Sequence, residues 1–270
     1  MMSFPETGLR RVESRQNGRI KELRAALIRG VRTPHIAIEG LHLVQEALKC
    51  GLKLNTVFVR SGNENLLDRL GAGDAEVLLV AEEVFLSATA TEHPQGIAAL
   101  VEPPQFPADA MLRGNPLVVV AAGLQDPGNL GTLVRSADAF GATGMMLLPG
   151  TVSLWNPKAL RASSGSAFRL PVVTLSPGDA FATLRAHGVR TIAAVARDGE
   201  DDADLRGPTA LLVGNEGAGL PEEWIAEADA RVTIPIAGQV ESLNAAIAGS
   251  LLLYEAMRQR LRSKDSKTHL

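Results

Sequence analysis

The sequence predicts an α/β protein built on a mostly parallel sheet, preceded by a smaller α/β domain. Three observations carry that expectation. Strand-like and helix-like patterns alternate along the 270 residues, the arrangement that puts helices on the faces of a sheet. Strand candidates in the second half are short continuous apolar runs such as PLVVVAAGL (116–124), the pattern of a strand covered on both faces. Between the halves, EPPQFPADAMLRGNP (102–116) carries four prolines, too many for a regular element to be expected. The expected division is 1–105, a linker at 106–116, and 117–270. No internal repeat is visible.

The first part opens with a helix at 13–29. HIAIEG reads as a strand and LHLVQEALKCG as a helix, with Gly51 where a helix C-terminal glycine belongs. LNTVFVR is a strand, 65–70 a short helix, and AEVLLVA and GIAALVE two further strands. This is the alternation of a small α/β sandwich.

In the second part PLVVVAAGL leads to a helix at 130–140. Its apolar stripe is Leu130, Leu133, Val134, Ala137 and Phe140, closed by Gly141. GMMLLP is a strand, 156–163 a short helix and RLPVVTL a strand. DAFATLRAHG is a helix ending on glycine. RTIAAVA, TALLVGNEG and RVTIPI are strands, and 242–262 is a long terminal helix. About six strands result, mostly parallel.

Composition narrows the class. Hydrophobic residues make up 46% and charged residues 21%, which fits a globular chain and not a disordered one. Cys50 is the single cysteine, so neither an intrachain disulfide nor a cysteine-cluster zinc site can form, and the cytoplasm is the expected compartment. The N-terminus has no apolar core of a signal peptide, so none is expected. The longest mostly apolar stretch, 243–254, is shorter than the roughly 18 residues of a membrane span. The five histidines are scattered without an HxxxH or HExxH spacing, so no metal is expected.

Charge is unevenly spread. Residues 1–35 hold Arg10, Arg11, Arg15, Arg19, Lys21, Arg24, Arg29 and Arg32 against Glu6, Glu13 and Glu22, a balance of +5 in a chain of net charge −3. That asymmetry fits a polyanionic partner, and equally a solvated helix face.

Three junctions at the C-terminal ends of predicted strands carry the polar chemistry, where open α/β sheets bind ligands. The first is QDPGNLGTLVRSADAFG (125–141). Pro127 and Gly128 read as a turn and Asn129 as a helix N-cap. Arg135 projects from an otherwise small and apolar helix, with Asp138 as an i, i+3 partner. The second is LLVGNEGAGLP (211–221), where a strand runs into Gly214, Gly217 and Gly219 around Asn215 and Glu216. Its GxxGxG spacing is neither the dinucleotide fingerprint nor a phosphate loop. Glycines here let backbone approach a ligand closely, or make a tight turn. The third is IPIAGQVESLNAAIAGSLLLYEA (234–256). Ser242 reads as an N-cap, and Asn244 in the first helical turn is a poor helix former that needs another reason.

Taken together and in this order, N-x5-R, GNEGxGL and IPxxGxVxSLN resemble the SpoU family, the TrmH-like branch of the SPOUT RNA methyltransferases. RASSGSAFRLPV (161–172) is similar to that family's connecting segment. IAIEGLHLVQEAL and HPQGIAALV are similar to its ribosomal-protein-like N-terminal substrate-binding domain. The resemblance covers residues 10–260.

It implies a parallel sheet with a C-terminal trefoil knot that binds S-adenosyl-L-methionine through the backbone of Gly214, Ile234 and Leu243. It implies methyl transfer to a ribose 2′-hydroxyl of RNA, ribosomal RNA in preference to transfer RNA, by a homodimer that needs no metal. It assigns catalysis to Arg135, with Asn129, Glu216, Ser242 and Asn244 at the other motif positions. An arginine is a poor literal base, because its ordinary pKa is about 12.5 or more. Holding a phosphate and stabilising a developing alkoxide suits it better.

Competing readings each predict something different. A catalytically silent RNA-binding relative should have lost one of the five polar residues. A nicotinamide-dependent dehydrogenase should show GxGxxG after its first strand. Base methylation within the same superfamily is disfavoured by the TrmH-like form of all three motifs.

Overall fold

The structure is a computed structural model that describes residues 9–29, 34–70, 74–89 and 91–265. Arg32 and Glu6 of the basic segment lie outside the described residues. The chain divides into two compact units, Met1–Pro104 with Trp155–Arg169, and Gln105–Leu154 with Leu170–Leu270.

The first unit contains β1 (Arg10–Val12), α1 (Gly18–Arg29), β2 (Ile36–Glu39), α2 (Leu41–Lys49), β3 (Leu54–Arg60), β4 (Glu76–Val80), α3 (Glu82–Ala88) and β5 (Ile97–Val101). Its five-stranded sheet has the order β1-β4-β3-β5-β2, with β5 antiparallel to both neighbours. Ile20, Leu23 and Leu27 of α1 stand at helical spacing and pack with Phe58, Leu78, Phe85 and Leu100 in one buried cluster. The expected strands recur, and α2 ends as anticipated: Gly51 takes φ +72 and donates to Leu48 O, while Leu52 N closes on Ala47 O. Residues 64–69 form a 3-10 turn instead of an α-helix. β1 and α3 are additional elements. β1 is three residues long, and α3 starts from Ala81 with no side-chain cap, so neither leaves a periodic or capping signal.

Part of the basic segment is committed inside this unit. Arg19 pairs with Glu76 and Glu22, and Arg24 donates to Ser87 O and Oγ. Arg10 also reaches Glu76, at 3.9 Å, but is exposed, as are Arg11, Arg15 and Lys21.

The second unit contains β6 (Leu117–Ala121), α4 (Pro127–Ala139), β7 (Gly144–Leu147), β8 (Val172–Thr174), α6 (Pro177–Ala186), β9 (Arg190–Ala194), β10 (Thr209–Val213), α7 (Glu222–Glu227), β11 (Ala230–Val232) and α8 (Ala245–Asp265), while α5 (Pro157–Ser163) interrupts it in sequence between β7 and β8. The six strands run β11-β9-β10-β6-β7-β8, and every pairing is parallel. From β6 the chain winds outward through β7 and β8, then returns to place β10 on the other side of β6. The crevice at such a reversal, outside the carboxyl ends of the two central strands, is where open α/β sheets take ligands. Both central strands are buried throughout, as their apolar runs require.

Two expectations change. The proline-rich 102–116 does hold structure: Ala108–Leu112 form a 3-10 turn whose Met111 and Leu112 are buried in the core of the second unit. Its prolines sit at the edges and leave 108–115 free to turn. In addition, α5 belongs to the first unit although the chain supplies it between β7 and β8. There Ser164 Oγ lies 2.9 Å from His42 Nε2, and Arg169 donates to Glu46 Oε2 at 3.0 Å. Gly165, at φ +91, lets the segment pass Glu46, since a Cβ would stand 2.7 Å from that residue's own Cβ.

Candidate active site

Helix α4 follows the loop after β6. Its N-cap is Asp126, whose side chain accepts from Asn129 N at 2.9 Å, with Pro127 at the first helical position. Asn129 is therefore not the cap that its sequence context suggests. It stands in the first turn, with its own amide free to reach across to other loops.

After β10 the chain turns back on itself at once. A Cβ on Gly214 would lie 2.5 Å from both Gly219 O and Leu220 N, so glycine is required here by close backbone approach. Asn215 and Gly219 exchange two backbone hydrogen bonds of 3.0 Å, closing the 215–219 turn. Glu216 leaves this turn toward α4 and accepts from Asn129 Nδ2 at 2.9 Å and, more loosely, from the backbone of Gln125 and Asp126 at 3.4 Å.

The third segment supplies Asn244. Its Oδ1 accepts from Ala246 N and Ile247 N at 2.9 and 3.2 Å, which makes it the cap of α8. The cap expected at Ser242 is thus displaced by two residues, and the apparent misfit of Asn244 in a helix disappears. Its Nδ2 donates to Asn129 Oδ1 at 3.0 Å. Asn244, Asn129 and Glu216 therefore form one chain of side-chain hydrogen bonds that joins α8, α4 and the loop after β10.

The helices that carry this chain are packed closely. Gly249 lets α8 approach, since a Cβ there would lie 2.6 Å from Leu133 Cδ1 and 3.3 Å from Val213 Cγ2. The next residue, Ser250, bonds Ser136 Oγ through its Oγ at 2.7 Å, and one turn further on Tyr254 meets Phe140 edge to face. Contacts advance together along both helices, so α4 and α8 run parallel.

Burial pushes the Glu216 carboxyl up, but the Asn129 amide and the backbone N–H groups of Glu216, Gln125 and Asp126 outweigh it and hold it below the ordinary carboxylate value of 4.5. Glu216 is thus an anion that receives hydrogen bonds.

Beside this chain, and sharing Glu216 with it, lies a cleft of about 350 Å³. Gly214, Ile234 and Leu243, the three positions expected to hold cofactor, all line it, together with Ser242. Val195, Leu220, Ile225, Ile236 and Leu252 add apolar walls. A cleft that combines apolar walls with several polar groups suits a small organic ligand. Among the described residues no cluster of three His, Cys, Asp or Glu side chains could hold a metal ion.

The five polar candidates are thus partly assembled. Asn129, Glu216 and Asn244 are bonded to one another. Ser242 is exposed at the cleft. Arg135 is exposed on α4, six residues beyond Asn129 and so about 9 Å along the helix axis. Its side chain forms no hydrogen bond or ion pair among the described residues, so the alternative to a functional role, an i, i+3 pairing with Asp138, is not made. Two residues with structural parts in the site carried no assigned role in the sequence: Asp126, the actual cap, and Asn215, whose side chain bonds Gly123 O and the turn. Pro127 was the usable signal for the first, because proline favours the position just after the cap.

An α/β enzyme with an organic-ligand cleft at the reversal of a parallel sheet, and a bonded amide–carboxylate chain beside it, is the class that fold and site define. The chain belongs to the SpoU rRNA Methylase family, whose model matches residues 116–254, and the model for RNA 2'-O ribose methyltransferase substrate binding matches residues 37–107. It is 34% identical over 250 residues to the Bacillus subtilis 23S rRNA (guanosine(2553)-2'-O)-methyltransferase RlmP, covering 91% of this chain and 98% of that one. An AdoMet-bound rRNA methyltransferase from Sinorhizobium meliloti superposes with a TM-score of 0.83 at 35% identity, over 93% of this chain and 98% of that one. The SpoU methyltransferase AviRb from Streptomyces viridochromogenes, also with AdoMet, gives 0.80 at 32% identity, over 91% and 99%.

Proposed function

We propose that this chain transfers a methyl group from S-adenosylmethionine to a ribose 2′-hydroxyl of ribosomal RNA. The observation that carries the reading is the Asn244–Asn129–Glu216 chain set beside the Gly214–Ile234–Leu243 cleft. The donor fits that cleft: Gly214, Ile234 and Leu243 line it, and its apolar walls suit the adenine ring. When bound, its sulfonium supplies an electrophilic methyl group.

The protein's part is to align the hydroxyl and stabilise the charge that grows on it. Arg135, exposed and unpaired, holds the phosphate next to the target ribose and stabilises the developing alkoxide, the planar guanidinium offering two parallel donors. Glu216, kept anionic, fixes Asn129. Asn129 and Asn244 orient the ribose, and Ser242 at the cleft rim positions the phosphate or the hydroxyl.

The remaining parts of the reading are these. Residues 1–105 grip RNA as a ribosomal-protein-like domain, with Arg10, Arg11, Arg15 and Lys21 available for phosphate contacts, and 117–270 carry catalysis. The chain from β10 to α8 is threaded as a trefoil knot, which is supported by the way three separate segments, 194–196, 213–222 and 232–252, meet at one cleft. The working form is a homodimer. Its support is α8, where Ile247 (52% exposed), Leu251 (44%) and Tyr254 (47%) lie on one stripe, while Leu252, Leu253 and Ala256 are buried on the other face. No helix is long and apolar enough to cross a membrane among the described residues, and a ribosomal substrate supports the reading of a cytoplasmic protein.

The test is incubation with methyl-labelled S-adenosylmethionine and total RNA, followed by mapping of alkali-resistant linkages. Label at one ribose of ribosomal RNA is expected. Label confined to transfer RNA, or on a base, would overturn the reading.

A further inference from the structure

We propose that Asn215 is a positioning residue for this reaction, coupling the cleft-lining turn after β10 to the Glu216–Asn129–Asn244 chain; the inference rests on the function proposed above. Its side-chain amide is used on both edges. Nδ2 donates to Gly123 O at 2.8 Å, in the loop after β6, and reaches Glu216 Oε2 at 3.4 Å. Oδ1 accepts from Gly217 N at 2.9 Å and Ala218 N at 3.0 Å. The backbone of the same residue exchanges two hydrogen bonds with Gly219.

Only a carboxamide of this length has donors for the first edge and an acceptor for the second; aspartate lacks the donors and leucine lacks both. Gly217, Ala218 and Gly219 all line the cleft. Gly123 is itself pinned, since its N–H donates to Thr151 Oγ1, which in turn donates to Ala121 O at the end of β6. Asn215 thus holds the floor of the cleft and the bonded carboxylate in one register, fixed to the ends of both central strands. Neither the cleft nor the carboxylate can shift without the other.

The informative variant is Asn215→Asp. It keeps an acceptor for Gly217 and Ala218 and loses both donors. Calorimetry with S-adenosylhomocysteine is expected to show affinity about 10-fold weaker, and single-turnover transfer at saturating cofactor a rate about 30-fold lower, the range that follows from losing the bond to Gly123 O and setting a second carboxylate beside Glu216. In a Glu216→Gln background the further rate loss from Asn215→Asp should shrink below about 3-fold, because residues acting through one another are not additive. If Asn215→Asp does not fold, Asn215→Ser, which keeps a hydroxyl for the turn, is read in the same way. Wild-type affinity and rate in the variant would overturn the proposal, as would losses that multiply in the double variant. Wild-type protein that binds no S-adenosylhomocysteine would overturn the proposed function and this inference together, whereas normal wild-type binding with an unaffected variant contradicts only the role of Asn215.

Discussion

Asn129 Nδ2 donates to Glu216 Oε1 at 2.9 Å across 87 residues of sequence. The bond joins the first turn of α4 to the turn after β10, the two loops that leave the central strands of the parallel sheet. Because Asp126 caps α4, both edges of the Asn129 carboxamide are committed elsewhere, Nδ2 to Glu216 and Oδ1 to Asn244.

Replacing Asn129 tests that bond. Asn129→Asp sets a carboxylate about 3 Å from Glu216, where two like charges cannot both ionise freely. Its single-turnover rate should fall on the order of 10²-fold, because the repulsion displaces side chains that orient the ribose. Asn129→Ala should lose less, because it removes the bond without adding a charge. Equal rates in wild type and Asn129→Asp would contradict the assignment.

The Glu216 carboxyl also sets a pH signature. Its folded-state pKa is depressed below the ordinary 4.5, so its contribution to stability is fully present above that value and is lost as pH falls through the folded pKa. The stability gap between wild type and Glu216→Gln should therefore narrow as pH drops below 4.5. Denaturant titrations of both proteins over that range check the sign. A gap that widens on acidification would mean that Glu216 is not a hydrogen-bonded anion.

Much of this was legible in the sequence. PLVVVAAGL reads as a buried parallel strand because nothing polar interrupts it, and it is central and buried, as is its neighbour β10, which reads from the sequence simply as a strand. The three junctions were found because glycine and asparagine at strand ends have few purely structural uses. The caps were misplaced for a physical reason. Asp126 and Asn129, like Ser242 and Asn244, are all competent caps, and which one serves depends on where the helix axis can begin. Pro127 decides the first pair. The second is decided by tertiary structure, in which Leu243 turns into the cleft before α8 begins. The placement of α5 was illegible, because apolar spacing says that a face is buried and not which unit buries it.

That placement has a consequence for truncation. Without residues 1–104, the segment Trp155–Arg169 loses the rest of its unit, and Leu160 and Phe168, both buried, lose their packing. A fragment covering 105–270 should be cleaved rapidly by trypsin after Arg161 or Arg169, while the intact chain resists. Equal resistance would show that the segment does not depend on the first unit. RNA affinity of the fragment should fall as well.

The exposed stripe of α8 predicts the oligomer. Light scattering at micromolar concentration should report a dimer, and Leu251→Glu should shift it to monomer, since a charge there cannot be buried without a partner. A wild-type monomer would contradict the homodimer.

Arg135 gives the most direct test of the central claim that this site drives transfer to a ribose hydroxyl. The measurement is single-turnover methyl transfer into ribosomal RNA at saturating cofactor, by wild type, Arg135→Ala and Arg135→Lys. The side chain is exposed and unpaired, so folding should be nearly unaffected, within about 0.5 kcal/mol. Alkali-resistant label is predicted for wild type, with the rate lower by about 10²- to 10³-fold in Arg135→Ala. Arg135→Lys should be nearly as slow, because an ammonium cannot reproduce a planar two-donor grip. Wild-type rates in Arg135→Ala, or label that is released by alkali, would contradict the account.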